Sequence, residues 1–175
     1  MEITVRKAEE RDIKELGVLY DMIIDQQEDC PTSPKWTKGV YPTEATVGEE
    51  VRKGEVLIAL DGERIAGSVI RNHIKAPGYE NAPWKIEAAD DEVFFIHTLG
   101  IHPDMQKKGV GRKLVEAVEE DGRRHGMKAV RLDVILQNAP SKALFIASGY
   151  DYLGTYTLTY DSVEPQPFMI FEKVL

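Results

Sequence analysis

The stretch with the tightest hold on the fold is 103–112, Pro-Asp-Met-Gln-Lys-Lys-Gly-Val-Gly-Arg. It joins two segments of different period. Residues 92–101 read as a strand, and from 110 onward Val110, Leu114, Val115 and Val118 recur at helical offsets. A strand, a glycine-bearing turn and a helix start make a place for an anion. Gly109 and Gly111 let main chain approach a ligand with no Cβ in the way. The first N–H groups of a helix have no partner inside it. Together with the positive end of the helix dipole, they favour a phosphate or pyrophosphate. Lys107, Lys108, Arg112 and Lys113 add positive charge around the same turn. An ordinary strand-to-helix turn would carry similar glycines, so the turn alone specifies local structure and leaves the ligand open.

Two familiar phosphate loops do not match. A Walker loop closes on Gly-Lys-Ser/Thr, whereas Gly111 is followed by Arg112 and Lys113. A dinucleotide fingerprint has three glycines in the first strand–helix unit; here there are two, deep in the chain. The pattern Gln106-x-x-Gly109-x-Gly111 instead resembles the acyl-CoA pyrophosphate loop of the GNAT superfamily of N-acetyltransferases. Leu99-Gly100-Ile101-His102-Pro103 is similar to that family's strand end and proline. Asn138, Leu144, Phe145, Gly149 and Tyr150 fall at the spacing of its second motif. The resemblance covers essentially the whole chain. It implies an α/β (α+β) GNAT fold: a central mixed, mostly antiparallel sheet of about seven strands with about four helices. The implied order is β-α-α-β-β-β-α-β-α-β-β, in a single domain over residues 1–175.

A length of 175 residues suits one domain with a sizeable core. The 22 basic residues against 30 acidic give a formal charge of −8, which argues against general binding to nucleic acid or anionic membrane. A cationic acceptor such as an amine is compatible with that balance. Cys30 is the only cysteine, so a disulfide framework is excluded and a reducing compartment is expected. The N-terminus starts with alternation rather than an apolar signal, and no run approaches membrane-spanning length. Cytoplasmic residence is the expectation.

Along the chain, Ile3 and Val5 alternate as a first strand. Ile13, Leu16, Leu19, Tyr20 and Ile23 make one helical face ending near Glu28. Residues 30–41 read as loop, broken by Pro31 and Pro34. Thr43 caps a short helix that Gly54 stops. Residues 55–60 and 64–72 form a hairpin around Asp61-Gly62. Residues 73–91 are irregular, and long ordered loops often carry function. A strand over 129–134 and a helix after Asn138-Ala139-Pro140 follow. Residues 152–160 and 168–174 close the fold, with Pro165 and Pro167 in their connection.

The resemblance implies a co-substrate, acetyl-CoA, and no metal. Its diphosphate would meet Gln106, Lys107, Lys108, Gly109, Val110, Gly111 and Arg112. Its pantetheine arm would run along the backbone of Leu99, Gly100 and Ile101, near Asn138 and Phe145. A backbone N–H near Leu99 would polarise the thioester carbonyl. Transfer to an amine also needs a proton acceptor. Phe95, His97 and Leu99 share one strand face, and His97 is the residue there that titrates near neutrality. His97 is the first candidate base; a hydrogen-bonding core histidine or a water chain is the alternative. Asp133 on the next strand reads as structural. His102 reads as packing beside the turn, and Glu87, Asp90, Asp91 and Glu92 as a solvated face.

One departure stands out. The tyrosine that the second motif usually carries, often assigned to protonate the CoA thiolate, is Phe145, which has no proton to give. Ser141, four residues earlier, is the candidate replacement, with water as the alternative. Trp36, Tyr41, Tyr79 and Trp84 lie in segments where aromatics form an acceptor wall or cation–π box; lids over a core edge or a homodimer face are the alternatives. The leading function is transfer of acetyl from acetyl-CoA to a primary amine: a small amine, an amino acid or a peptide N-terminus. A non-catalytic acyl-CoA-binding module and a protein lysine acetyltransferase are the competing readings.

Overall fold

The computed structural model describes residues 2–27, 30, 36–160 and 163–175. The expected helix end at Glu28 and the breaks at Pro31 and Pro34 lie outside the described residues. Seven strands and four helices follow in the expected order: β1 (Ile3–Lys7), α1 (Ile13–Gln27), α2 (Glu44–Arg52), β2 (Val56–Asp61), β3 (Arg64–Asn72), β4 (Val93–Ile101), α3 (Val110–Arg124), β5 (Ala129–Ile135), α4 (Ala139–Ala147), β6 (Asp151–Tyr160) and β7 (Val163–Val174). The strands form one sheet in the order β1-β2-β3-β4-β5-β7-β6. Contacts divide the chain into two compact units, Met1–Arg71 with Thr98–Val118, and Asn72–His97 with Glu119–Leu175.

In the first unit, β1 pairs antiparallel with β2 from Ile3↔Asp61 to Lys7↔Leu57, and β2 continues into β3 through the hairpin closed by Asp61↔Arg64. The apolar face read from the sequence of α1 is the buried one, with Leu16, Leu19, Tyr20 and Ile23 packed against Val47, Val51, Ile58 and Ile65. Thr43 and Thr46 cap α2 reciprocally: the Thr46 N–H donates to Thr43 Oγ1 at 3.2 Å, and the Thr43 N–H to Thr46 Oγ1 at 2.8 Å. Gly100 has no room for a side chain. A Cβ there would lie 2.9 Å from Ile23 Cδ1 and 3.1 Å from Tyr20 Cε1, so glycine is what lets α1 seat on β4.

In the second unit, β5 pairs in parallel with the start of β4 from Val93↔Ala129 to Ile96↔Leu132, and antiparallel with β7 from Ala129↔Val174 to Ile135↔Phe168. The β4–β5 ladder therefore stops at Ile96, although β5 runs on to Ile135. β6 and β7 form the other antiparallel pair. Pro165 and Pro167, expected in the connection, belong to β7 itself. They precede Phe168, where the pairing with β5 begins, so no β5 carbonyl is left waiting for their missing N–H groups.

A buried ion pair ties the irregular segment after β3 to this sheet. Arg131 Nε donates to Glu172 Oε1 at 2.9 Å, and both side chains are almost wholly enclosed. Glu172 Oε2 accepts the Lys85 N–H at 2.6 Å, and Arg131 Nη2 donates to the Ile86 carbonyl at 2.7 Å. The guanidinium also lies 4.4 Å above the Trp84 ring. Both carboxylate oxygens of Glu172 and two of the three guanidinium nitrogens of Arg131 are hydrogen-bonded, which offsets the cost of bringing two charges out of water. Glu172→Ala leaves Arg131 charged and unpaired, and is expected to destabilise the protein by roughly 3–5 kcal/mol. Urea unfolding checks this as a lower midpoint at unchanged slope; a midpoint equal to that of the parent protein refutes it.

Candidate acetyl-transfer site

The turn before α3 belongs to the first unit. His102 ends β4, and its Nδ1 accepts the Asp104 N–H at 3.1 Å, opening a short 3-10 turn over Pro103–Met105. Burial and the neighbouring Arg64 guanidinium hold the His102 pKa below its ordinary value, so the ring stays neutral there. His102 thus packs and caps, as its position in the sequence suggested. The chain then passes through Lys107, with φ 61°, and Gly109, with φ 83°. Positive φ at these two positions turns the chain sharply into the helix start.

The first hydrogen bond closing the helix runs from the Lys113 N–H to the Gly109 carbonyl at 3.1 Å. Among the described residues, the N–H groups of residues 109–112 make no hydrogen bond to the protein. A Cβ built on Gly109 meets nothing within 4 Å, so the main chain there is open. Gln106, Lys107, Lys108, Gly109 and Arg112 are exposed and Gly111 is half-buried, while Val110 is buried and anchors the helix start. Gln106 Nε2 reaches Gln26 Oε1 at 3.2 Å, and Arg112 Nε pairs with Glu116 at 2.9 Å. Open donors, an unobstructed glycine and exposed cations fit a diphosphate.

On β4, Gly100 is buried and Leu99 and Ile101 are half-buried. Tyr41, the nearest loop aromatic in this unit, hydrogen-bonds through its hydroxyl to Thr98 Oγ1. Burial raises the Tyr41 pKa above its ordinary value. Trp36 meets Tyr20 edge-on at 5.7 Å and covers the rim of the core, the lid alternative weighed for it.

His97 is half-buried in the second unit. Its Nε2 lies 2.8 Å from Asn72 Oδ1, and the Ile74 N–H donates to that same oxygen at 2.9 Å. A backbone donor on Oδ1 identifies the atom as an acceptor, so His97 Nε2 carries hydrogen. When the ring is neutral its lone pair is on Nδ1.

Tyr79 and Trp84 do not stand free as an acceptor wall. Tyr79 is buried, with its ring 5.6 Å from Phe95 and 5.3 Å from Trp84, and Trp84 Nε1–H donates to the Tyr79 carbonyl at 2.8 Å. The Tyr79 hydroxyl donates to Asp133 Oδ2 at 2.6 Å, and the Tyr160 hydroxyl donates to the same oxygen. Burial raises the Asp133 pKa while the two hydroxyls pull it back down. Asn72 and Tyr160 escaped the sequence reading, since neither has a spacing relation to its partner. Asp133 had one signal, a carboxylate between the apolar Leu132 and Val134.

Asn138 caps α4, its Oδ1 accepting the Ser141 N–H at 3.2 Å. The Ser141 side chain is half-buried, and its hydroxyl makes no hydrogen bond to the protein among the described residues. Phe145, one helical turn later, is buried edge-on to Tyr150 at 5.3 Å and 6.1 Å from Phe171. The acidic loop face is solvated, with Asp90 paired to Lys75 and Glu92 to Lys128. Among the described residues, no group of three or more His, Cys, Asp or Glu side chains is placed to hold a metal ion, and no helix is long and apolar enough to cross a membrane.

Solved structures share the fold at low identity. An acetyltransferase of the GNAT family from Streptococcus agalactiae matches with a TM-score of 0.80 at 15% identity, over 99% of this chain and 95% of its own. The putative acetyltransferase yncA from Salmonella typhimurium, solved with its cofactor acetyl-CoA, matches at 0.73 and 16% identity, over 100% and 95%. A polyamine N-acetyltransferase from Drosophila melanogaster matches at 0.68 and 17%, over 99% and 100%. A search of curated proteins gave no match. The model of the acetyltransferase (GNAT) family matches residues 19–150, a span that includes both the open turn before α3 and the capped helix α4, and the chain belongs to that family.

Proposed function

We propose that this protein transfers the acetyl group of acetyl-CoA to a primary amine, by direct attack of the amine in a ternary complex. The acceptor is a small amine, an amino acid or a peptide N-terminus. One observation carries the reading: four successive N–H groups at the start of α3, residues 109–112, have no protein acceptor and open beside exposed lysines. A buried or half-buried backbone donor without a partner is costly, and a diphosphate supplies the missing acceptors. From there the pantetheine arm runs along the β4 backbone near Leu99 and Ile101, adding to the sheet as an extra strand would. The Leu99 N–H then polarises the thioester carbonyl and steadies the oxyanion formed on attack. That the Salmonella relative is solved with acetyl-CoA and the Drosophila relative is a polyamine N-acetyltransferase supports this assignment of co-substrate and acceptor class.

A primary amine must shed a proton before it attacks, since its pKa of about 10 keeps it mostly charged near neutrality. His97 is the base, oriented by its Nε2 hydrogen bond to Asn72. The Ser141 hydroxyl donates a hydrogen bond to the departing thiolate, in place of the hydroxyl that Phe145 lacks, and the thiolate takes its proton from water. The burial of Phe145 against Tyr150 and Phe171 favours one competing reading, a module that binds acyl-CoA without turnover. Thiol release from saturating acetyl-CoA across a panel of amines separates the two. Release with at least one amine is expected, and tight CoA binding with no release for any amine gives the module.

Two substitutions test the parts. Gly109→Trp places a large ring over the open donors and is expected to weaken CoA binding by at least tenfold, about 1.4 kcal/mol; calorimetry reads it, and an unchanged affinity removes the diphosphate from this turn. His97→Ala is expected to slow transfer by roughly 10²-fold or more, most strongly at pH values below the pKa of the amine. A pH–rate profile with the parent's shape takes His97 out of the mechanism.

A further inference from the structure

In the second unit, the parallel ladder pairs Phe95 with Arg131 and stops one step later, at Ile96 and Leu132. Paired residues in a ladder project to the same face, and each strand alternates. Phe95 meets Tyr79 and Arg131 meets Trp84, so that face is the one covered by the 79–86 segment. Two residues further on, His97 and Asp133 project to the same face, at the first pair the ladder does not close. Asp133 is held there in an unusual way. Both of its hydrogen-bond donors, Tyr79 Oη and Tyr160 Oη, come to Oδ2. Oδ1 makes no hydrogen bond to the protein among the described residues, and it is not among the buried side-chain atoms left without a partner. One oxygen is thus clamped by two hydroxyls while the other has no protein donor, on the sheet face that Asp133 shares with His97.

A carboxylate has room for about four hydrogen bonds, and the protein supplies two of them here, both to one oxygen. Burial raises the Asp133 pKa; the two neutral donors orient the group and offset part of that rise, but they bring no positive charge. We infer that Asp133 Oδ1 is the seat of a cationic nitrogen on the acceptor, with Tyr79 and Tyr160 as positioning residues that aim the carboxylate. This deepens the transferase reading and rests on it for the identity of the site. It makes Asp133 a specificity-determining residue for that acceptor class. Hydrogen bonds between charged partners are strong enough for this recognition to dominate acceptor affinity.

The test measures equilibrium binding of hexylamine, an ammonium ion at neutral pH, to the CoA-saturated protein, with 1-hexanol as its uncharged twin. Asp133→Asn keeps the shape and can still accept from both hydroxyls. The parent is expected to bind hexylamine at least tenfold more tightly than hexanol. Asp133→Asn should abolish that preference while leaving CoA affinity within twofold. Equal affinity of the parent for the two probes, or a preference that survives in Asp133→Asn, overturns the inference. If Asp133→Asn fails to fold, Tyr160→Phe decides. It removes one of the two hydroxyls that aim the carboxylate, and is expected to weaken hexylamine but not hexanol; no change in either overturns the inference. Thiol release separates this result from the transferase reading. An Asp133-dependent preference for ammonium without any release leaves the seat standing and removes turnover. Release without an Asp133-dependent preference for ammonium does the reverse.

Discussion

A backbone N–H that meets neither water nor an acceptor is among the costliest defects a fold can carry. Helices create such donors at their starts, and most satisfy them with a side-chain cap. Here α2 and α4 follow that rule, through Thr43 and Asn138. At α3 the residue in the capping position is Gly109, which has no side chain to offer, and the residue two before it, Lys107, also takes positive φ. The donors at this one helix start are left for something that is not protein. A phosphate answers the geometry and the dipole together, and the exposed lysines answer its charge.

The second unit shows the opposite treatment of polar groups. Glu172 and Arg131 are buried, and each is matched by the other and by a backbone group of the 85–86 segment. Removing either partner would expose the full desolvation cost of the other. The consequence is positional. A stretch without regular secondary structure is pinned to the sheet at Lys85 and Ile86, and its Tyr79 hydroxyl is thereby brought to Asp133. Buried polar networks of this kind are tolerated only when satisfied, and when satisfied they hold their surroundings in one arrangement.

Much of the architecture was legible without coordinates because it rests on short-range rules. The apolar spacing of α1 and α3, the Asp61-Gly62 hairpin and the glycine stops after α2 and α3 each follow from the residues within one or two turns. The prolines 165 and 167 misled for the same reason: locally they disfavour a strand, yet an edge stretch lacking a β5 partner tolerates them. Phe145 could be read as the loss of a proton donor, but not as a ring wedged between Tyr150 and Phe171.

The sequence by itself determined the order of elements and the glycine-bearing turn before α3, since both depend on periodicity and glycine placement among close neighbours. Only the tertiary structure decided that Tyr79 and Tyr160, 54 and 27 residues from Asp133, converge on one of its oxygens, and that the parallel ladder ends beside it. Such convergence is set by packing between segments remote in the chain. Hydrogen bonds across those distances leave no period or motif to read, because any residue of suitable reach, brought there by the fold, would serve.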